Sequence, residues 1–393
     1  LQGARNILEG YLASEDSLFL WNGPGYPLYL APFVALGLPL LLPKLGNAIF
    51  LWLAVVRFHG ALGLLGMDRG RLAAAYALGA LLFLHGPALE LLMTESLSAY
   101  LAAAAACHYL ASLRPERRGA GIQLALAGSH LGYLALTKVF FGYAAAASLA
   151  AGLAGTACLR ARSRSGGPAP RTDGASTAFR NGSLVCSLAL IFCLPYLVYT
   201  YRLTGKPFFW SNSGGSQLYC MTVPEDHLLG DWLHFEAVQA SPEFFGAHAA
   251  FFREVSALDY VARDEALKAA ALRNLRAHPL KYFRNWRANV NRMVFGFPAS
   301  RYPGGDPELK TGNRSFVYAA PFFLVLFALP AAWRRRARVP PGAWACAGFV
   351  LLALGGLSLL SAFPRLVFPL LPLMGLWLGA VWNAGAGAGR RGD

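Results

Sequence analysis

Charged side chains are scarce: Asp, Glu, Lys and Arg make up 14% of the 393 residues, where soluble domains carry about 25%. Hydrophobic residues fill 56% of the chain. They fall in blocks near twenty long, the length a helix needs to cross roughly 30 Å of hydrocarbon. That distribution excludes a soluble globular domain. Cysteine is sparse as well. The six (Cys107, Cys158, Cys186, Cys193, Cys220 and Cys346) form no Cys-x-x-Cys spacing, and all but Cys220 lie in or beside apolar blocks. No disulfide framework is therefore legible, and no zinc-finger spacing occurs. No two histidines stand at a metal-ligand spacing with a carboxylate nearby. No charged segment followed by a short apolar core opens the chain, so no signal peptide is expected.

Cationic side chains are what the sequence does hold, with a net charge of +15. A basic balance alone points to nucleic acid, but here the surplus arginine sits in short loops between apolar blocks, where it sets topology. No nucleic-acid partner is expected. Nine spanning segments can be placed: 47–64, 71–88, 91–111, 120–138, 139–160, 183–202, 316–333, 343–361 and 366–384. Loops at Asp68-Arg69-Gly70-Arg71, Arg114 to Arg118, Arg160 to Arg180, Arg334 to Arg338 and Arg390-Arg391 then fall on one side, which is read as cytoplasmic. The second and third segments are separated by His85-Gly86-Pro87, a tight break. The apolar stretch 27–44 carries Pro27, Pro32, Gly37, Pro39 and Pro43, and reads as a short interfacial or re-entrant helix, with a full span as the alternative.

The expected class is an all-α polytopic membrane protein in four parts. Residues 1–46 form an external loop with short interfacial or re-entrant helices, and 47–202 an N-terminal transmembrane bundle containing a flexible cytoplasmic linker, 162–180. Residues 203–315 form an external region, and 316–393 the C-terminal transmembrane helices and a cytoplasmic tail. The external region holds 13 Lys/Arg against 11 Asp/Glu. Two helices are expected in it: 258–277, ended by His278-Pro279, and a following one on which Leu280, Phe283, Trp286 or Arg287, Val290 and Met293 recur at helical spacing. Lys281, Arg284 and Arg292 form its polar part. That second helix reads equally as resting on the bilayer surface or packing on its own domain. Ser211 to Ser216 reads as loop. Asn181-Gly-Ser and Asn313-Arg-Ser match a glycosylation sequon, but the first falls on the cytoplasmic side and neither is given weight.

Ionisable groups at membrane depth are costly and hence informative. Glu95 lies just inside a spanning helix and needs a cation, water or another partner; it reads as a substrate-site carboxylate or as a structural ion pair. Lys138 follows Leu136-Thr137 at another helix end, and reads either as a snorkelling anchor or as a cation for a lipid-linked phosphate. Arg365 interrupts a short external turn against the arginine bias of the topology, where a guanidinium can grip phosphate oxygens in a fork. His85 sits on an external turn with a proton to give or take near neutral pH, or with a structural role. Glu9, Glu15 and Asp16 have an ordinary pattern. Taken alone, these residues suit an enzyme acting on lipid-linked phosphates, a lipid or polysaccharide transporter or flippase, or a noncatalytic membrane scaffold. Against transport, no inverted repeat is visible and the ionisable groups gather near one interface instead of the midplane.

Four stretches in order carry a resemblance. They are Tyr11 followed by Trp21-Asn22-Gly23-Pro24-Gly25-Tyr26-Pro27-Leu28-Tyr29-Leu30-Ala31-Pro32; Met93-Thr94-Glu95; Leu136-Thr137-Lys138; and Pro364-Arg365-Leu366-Val367-Phe368-Pro369-Leu370-Leu371-Pro372-Leu373. In these the chain resembles the GT-C superfamily of membrane glycosyltransferases, in the branch of protein O-mannosyltransferase-like and aminoarabinose-transferase-like proteins. The resemblance implies a GT-C-like helical bundle in a bacterial inner membrane. It also implies inverting transfer of a sugar from a polyprenyl-phosphate donor to a lipid, protein or polysaccharide acceptor on the external or periplasmic face. It gives Glu95 and His85 to acceptor or metal positioning, Lys138 and Arg365 to the donor phosphate, and Tyr26 to the donor cleft. A divalent cation, Mg or Mn, is implied with Glu95 as a candidate ligand. The acidic base of such enzymes follows a first transmembrane helix and is expected upstream of residue 1, so it is not assigned to Glu9, Glu15 or Asp16.

Overall fold

The computed structural model describes residues 1–11, 20, 22–85, 92–114, 119–164, 173–300 and 315–386. Glu15, Asp16, Trp21, the Gly86-Pro87 break, residues 165–172 of the 162–180 linker, Asn313 and Arg390-Arg391 lie outside them. The described chain is helical: α1 (Gln2–Leu8), α2 (Gly25–Ala35), α3 (Leu41–Leu64), α4 (Arg71–His85), α5 (Glu95–Ser112), α6 (Ala120–Thr137), α7 (Phe140–Arg164), α8 (Asp173–Phe192) and α9 (Leu194–Thr204) come first. There follow α10 (Gly214–Thr222), α11 (Phe235–Ala240), α12 (Pro242–Phe245), α13 (Ala247–Ser256), α14 (Tyr260–Ala277), α15 (Pro279–Phe295), α16 (Ser315–Arg334), α17 (Pro341–Ser358) and α18 (Leu371–Ala386).

Six stretches among the described residues are long and apolar enough to cross a membrane: Leu41–Leu64, Phe140–Cys158, Gly174–Phe192, Ser315–Arg334, Pro341–Ser358 and Pro364–Gly385. The chain is an all-α polytopic membrane protein. The other three expected segments are helices too, α4, α5 and α6, with less apolar length. For α5 the reason is its surroundings. It is buried along nearly its whole course, including Ala99 and Ala102 to Ala106, so close packing against α3 and α6 selects small side chains over the long apolar ones that face lipid.

The chain divides into two compact units. One comprises Leu36–Val198, Ala320–Ala353 and Phe368–Asp393. In it α5 packs against α3 and α6, α8 against α6 and α7, and α18 against α3, α4 and α5. The approaches are close: a Cβ on Gly128 would meet the Leu188 side chain at 2.5 Å, and one on Gly132 would meet the Phe192 ring at 2.8 Å. Asn181, the first sequon asparagine, is buried on α8 and donates to the Ser112 carbonyl and hydroxyl at 3.2 Å each. Helix α8 starts at Asp173 and so takes in residues 173–180 of the expected 162–180 linker, where Gly174 is the one helix breaker. The expected 183–202 span is shared between α8 and α9, which part at Cys193 just ahead of Pro195.

The other unit comprises Leu1–Ala35, Tyr199–Ala319 and Leu354–Val367. The part of the 27–44 stretch that belongs to this unit lies in the short α2, which ends at Ala35 before Gly37 takes a left-handed φ of +60°; residues 41–44 open α3. Eleven residues rise about 16 Å, too little to cross a bilayer. Helix α14 begins where Asp259 caps it, accepting from Val261 N at 2.8 Å and Ala262 N at 2.9 Å, and stops at His278 ahead of Pro279. A core of Tyr219, Leu228, Phe245, Phe252, Leu267 and Ala271 sits between α10, α13 and α14.

One reading of this region changes. Gly214, Gly215 and Ser216 open α10 instead of forming a loop. Asp264 on α14 supplies the acceptor their N–H groups need, at 2.7 Å from Gly215 and 3.3 Å from Ser216; burial pushes the Asp264 carboxyl up and these two donors oppose it. Helix α15 buries Lys281, Asn285, Asn289, Arg292 and Met293, while Leu280 is 75% and Phe283 58% exposed, so its apolar set is divided between the two sides.

A side chain at Gly215 has no room, since a Cβ there would run into the Asp264 backbone carbonyl. Gly215→Ala is expected to destabilise by about 1–3 kcal/mol through overpacking. Thermal unfolding in detergent checks this, and an unchanged midpoint would mean that α10 and α14 part without cost.

Candidate functional site

Helices α5 and α6 bring two of the expected residues together. Glu95 is the first residue of α5 and Lys138 the residue that ends α6. Each charge therefore lies at the helix end whose dipole favours it, the carboxylate at an N-terminus and the ammonium at a C-terminus. Lys138 leaves the helix in an extended conformation, its own N–H still bonded to Leu134 O at 2.8 Å. Its Nζ then donates to Glu95 Oε1 at 3.0 Å. The Glu95 and Lys138 side chains keep only 6% and 12% exposure, so the pair is held out of bulk water. Thr94 Oγ1 lies 3.4 Å from the other carboxylate oxygen, Oε2. One turn into α5, the Ser96 and Ser98 hydroxyls are buried without a hydrogen-bond partner among the described residues.

This geometry has a chemical consequence. A carboxylate that meets a lysine ammonium is satisfied without a metal, and among the described residues no three His, Cys, Asp or Glu side chains gather as a metal-ligand set. These residues do not fit a divalent cation at Glu95. An incoming phosphate, by contrast, fits Lys138: an ammonium offers three donors, and Glu95 Oε1 takes one.

The remaining candidates lie elsewhere. His85 ends α4, and its side chain falls outside the described residues. Tyr26 and Arg365 belong to the unit containing residues 1–35. Tyr26 is buried on α2, with its ring 5.5 Å from that of Tyr29. Arg365 is exposed in a short 3-10 turn, Pro364–Leu366, with its guanidinium 5.8 Å from the Phe363 ring centre.

Sequence reasoning missed a buried polar chain in that second unit. Tyr219 Oη meets His248 Nδ1 at 2.5 Å, and His248 Nε2 lies 2.5 Å from Glu225 Oε2 in ion-pair contact, off the line of a hydrogen bond. The three residues come from different segments, and no local spacing announces them.

Removing one partner of a buried ion pair strands the other charge. Lys138→Met and Glu95→Gln are each expected to destabilise the protein by about 3 kcal/mol, and the double variant to recover most of the loss. A double-mutant cycle on thermal unfolding measures the coupling; additive losses would mean the two side chains act separately.

No protein-family model and no curated protein matches the chain. One solved structure, that of ArnT from Cupriavidus metallidurans bound to undecaprenyl phosphate, is similar to it over 99% of this chain and 73% of that one, at 13% identity and a TM-score of 0.36. At that level the likeness assigns no residue a role.

Proposed function

We propose that the chain is a GT-C-type glycosyltransferase that moves a sugar from a polyprenyl-phosphate donor to a hydroxyl or amine acceptor at the external membrane face, with inversion. One observation carries the reading. Two of the ordered motifs behind the resemblance, Met93-Thr94-Glu95 and Leu136-Thr137-Lys138, end in side chains that meet at 3.0 Å although 43 residues separate them. A buried, compensated cation at a helix end is what a departing phosphate needs.

In the reaction the bond from the sugar anomeric carbon to the phosphate oxygen breaks, and the electron pair stays on the phosphate. The acceptor oxygen or nitrogen bonds that carbon from the opposite face, and its proton passes to a general base. Lys138 stabilises the negative charge that grows on the phosphate. Glu95 fixes the ammonium and, with His85, orients the acceptor. Arg365 holds phosphate oxygens, and Tyr26 lines the donor cleft. The general base is assigned to none of these residues.

Full-length protein in nanodiscs, supplied with polyprenyl-phosphate sugars and scored for a new glycosidic bond, tests the class. Movement of lipid across vesicles without bond formation would favour a transporter. Arg365 is exposed, so Arg365→Ala keeps the fold, and loss of a charge-assisted phosphate contact is expected to lower kcat/KM by roughly tenfold or more. Unchanged turnover would remove Arg365 from the donor site.

Orientation is tested separately. In a background without native cysteines, a cysteine at exposed Leu258 is expected to react with a membrane-impermeant maleimide on intact cells, and one at Arg336 only after permeabilisation. The reverse pattern would put the proposed site on the cytoplasmic face.

A further inference from the structure

A polar cavity lies within the unit that contains α14 and α15, and none of its lining residues is named in the proposed transfer. It holds about 270 Å³ and is lined by Lys281, Arg284, Asn285, Arg287, Asn291 and Asp226, among others. Three cations against one carboxylate leave a positive lining. Lys281 is 8% exposed and donates to Leu228 O at 2.8 Å and, weakly, to Asp226 O at 3.5 Å. An ammonium has three donors, so one has no acceptor among the described residues. No carboxylate comes within ion-pair distance of Lys281 among those residues, and burial pushes its amine down from the ordinary value. A buried cation met only by carbonyl dipoles favours a counter-anion.

The rim offers the rest of a binding site. Arg284 and Asp226 stand 3.8 Å apart with 69% and 90% of their side chains exposed, a contact that holds neither firmly. Arg287 has no hydrogen bond or ion pair among the described residues, and its guanidinium can offer paired donors to an oxyanion. On the same helix Leu280 and Phe283 point outward, and the Phe283 and Trp286 rings lie 5.5 Å apart and nearly parallel.

We propose that this cavity binds a phosphate group, with Lys281 at its floor and Arg284 and Arg287 at its rim. The phosphate comes either as a free anion or on a lipid headgroup whose chains run along Leu280 and Phe283. The site is independent of sugar transfer, and its test needs no turnover.

Inorganic phosphate is titrated calorimetrically into the full-length protein in detergent. In parallel, native mass spectrometry counts phosphatidylglycerol adducts, with phosphatidylcholine as the zwitterionic reference. The comparison is the Arg284→Gln/Arg287→Gln variant, whose altered side chains are exposed; Arg287→Gln alone serves if the double variant melts earlier. Phosphate binding that weakens roughly tenfold or more in the variant supports a free-anion site. Selective loss of a phosphatidylglycerol adduct, without inorganic phosphate binding, supports a headgroup site. Wild type and variant alike in both assays would overturn the proposal.

Discussion

Arg292 is fully buried, and the unit around it is organised by the need to satisfy its guanidinium. No carboxylate reaches it within ion-pair distance among the described residues. Its Nε donates to Ala362 O at 3.2 Å, Nη1 to Pro298 O at 2.9 Å and Leu229 O at 3.5 Å, and Nη2 to Asn289 Oδ1 at 2.9 Å. Burial pushes the group down from its ordinary value, and Asp231 nearby opposes that. Asn289 extends the arrangement: its amide donates to Ser358 O at 2.9 Å and Leu360 O at 2.7 Å, while its oxygen accepts from Ala362 N at 2.9 Å. Asn285 does the same for Met221 O at 3.1 Å. One helix face thus gathers carbonyls near 221, 229, 298 and 360. Unpaired backbone groups are expensive when buried, so α15 turns its polar face inward because that is where the carbonyls are.

The other unit meets the same constraint with different means. In α5 and α6 backbone groups are paired within the helices, and the electrostatic problem is confined to side chains. It is concentrated in Glu95 and Lys138, which solve it with each other. The alanine-rich body of α5 allows the neighbouring helices to approach closely, and the pair sits at the ends, where helix dipoles already favour both charges.

What was legible in the sequence follows from how local the cause is. Blocks of apolar length located most of the long apolar helices, because length and hydropathy act segment by segment; 183–202 was set too late, since the apolar stretch there is Gly174–Phe192. The stop at His278-Pro279 was likewise local, set by proline. Glu95 and Lys138 were visible one at a time, because charge is rare in such segments; their contact, 43 residues apart, was not. Gly214 to Ser216 read as loop because their cap, Asp264, lies on another helix. The pattern on α15 left two placements open for a related reason: periodicity gives a face and not its direction, and the inward face is set by carbonyls in distant segments.

The pairing of Glu95 with Lys138 also bears on how the proposed site would work. A lysine left alone in a dry helix junction is costly as an ion, so an unpaired cation there would have to be compensated before any donor arrived. Glu95 supplies that compensation. Its carboxylate and an incoming phosphate then compete for one ammonium, and two anions facing one cation repel each other unless a further positive group shares the load. On the proposed reading the donor site has to supply such a group. The carboxylate then remains beside the reacting groups once the phosphate has taken its share of Lys138, placed to accept a hydrogen bond from the acceptor.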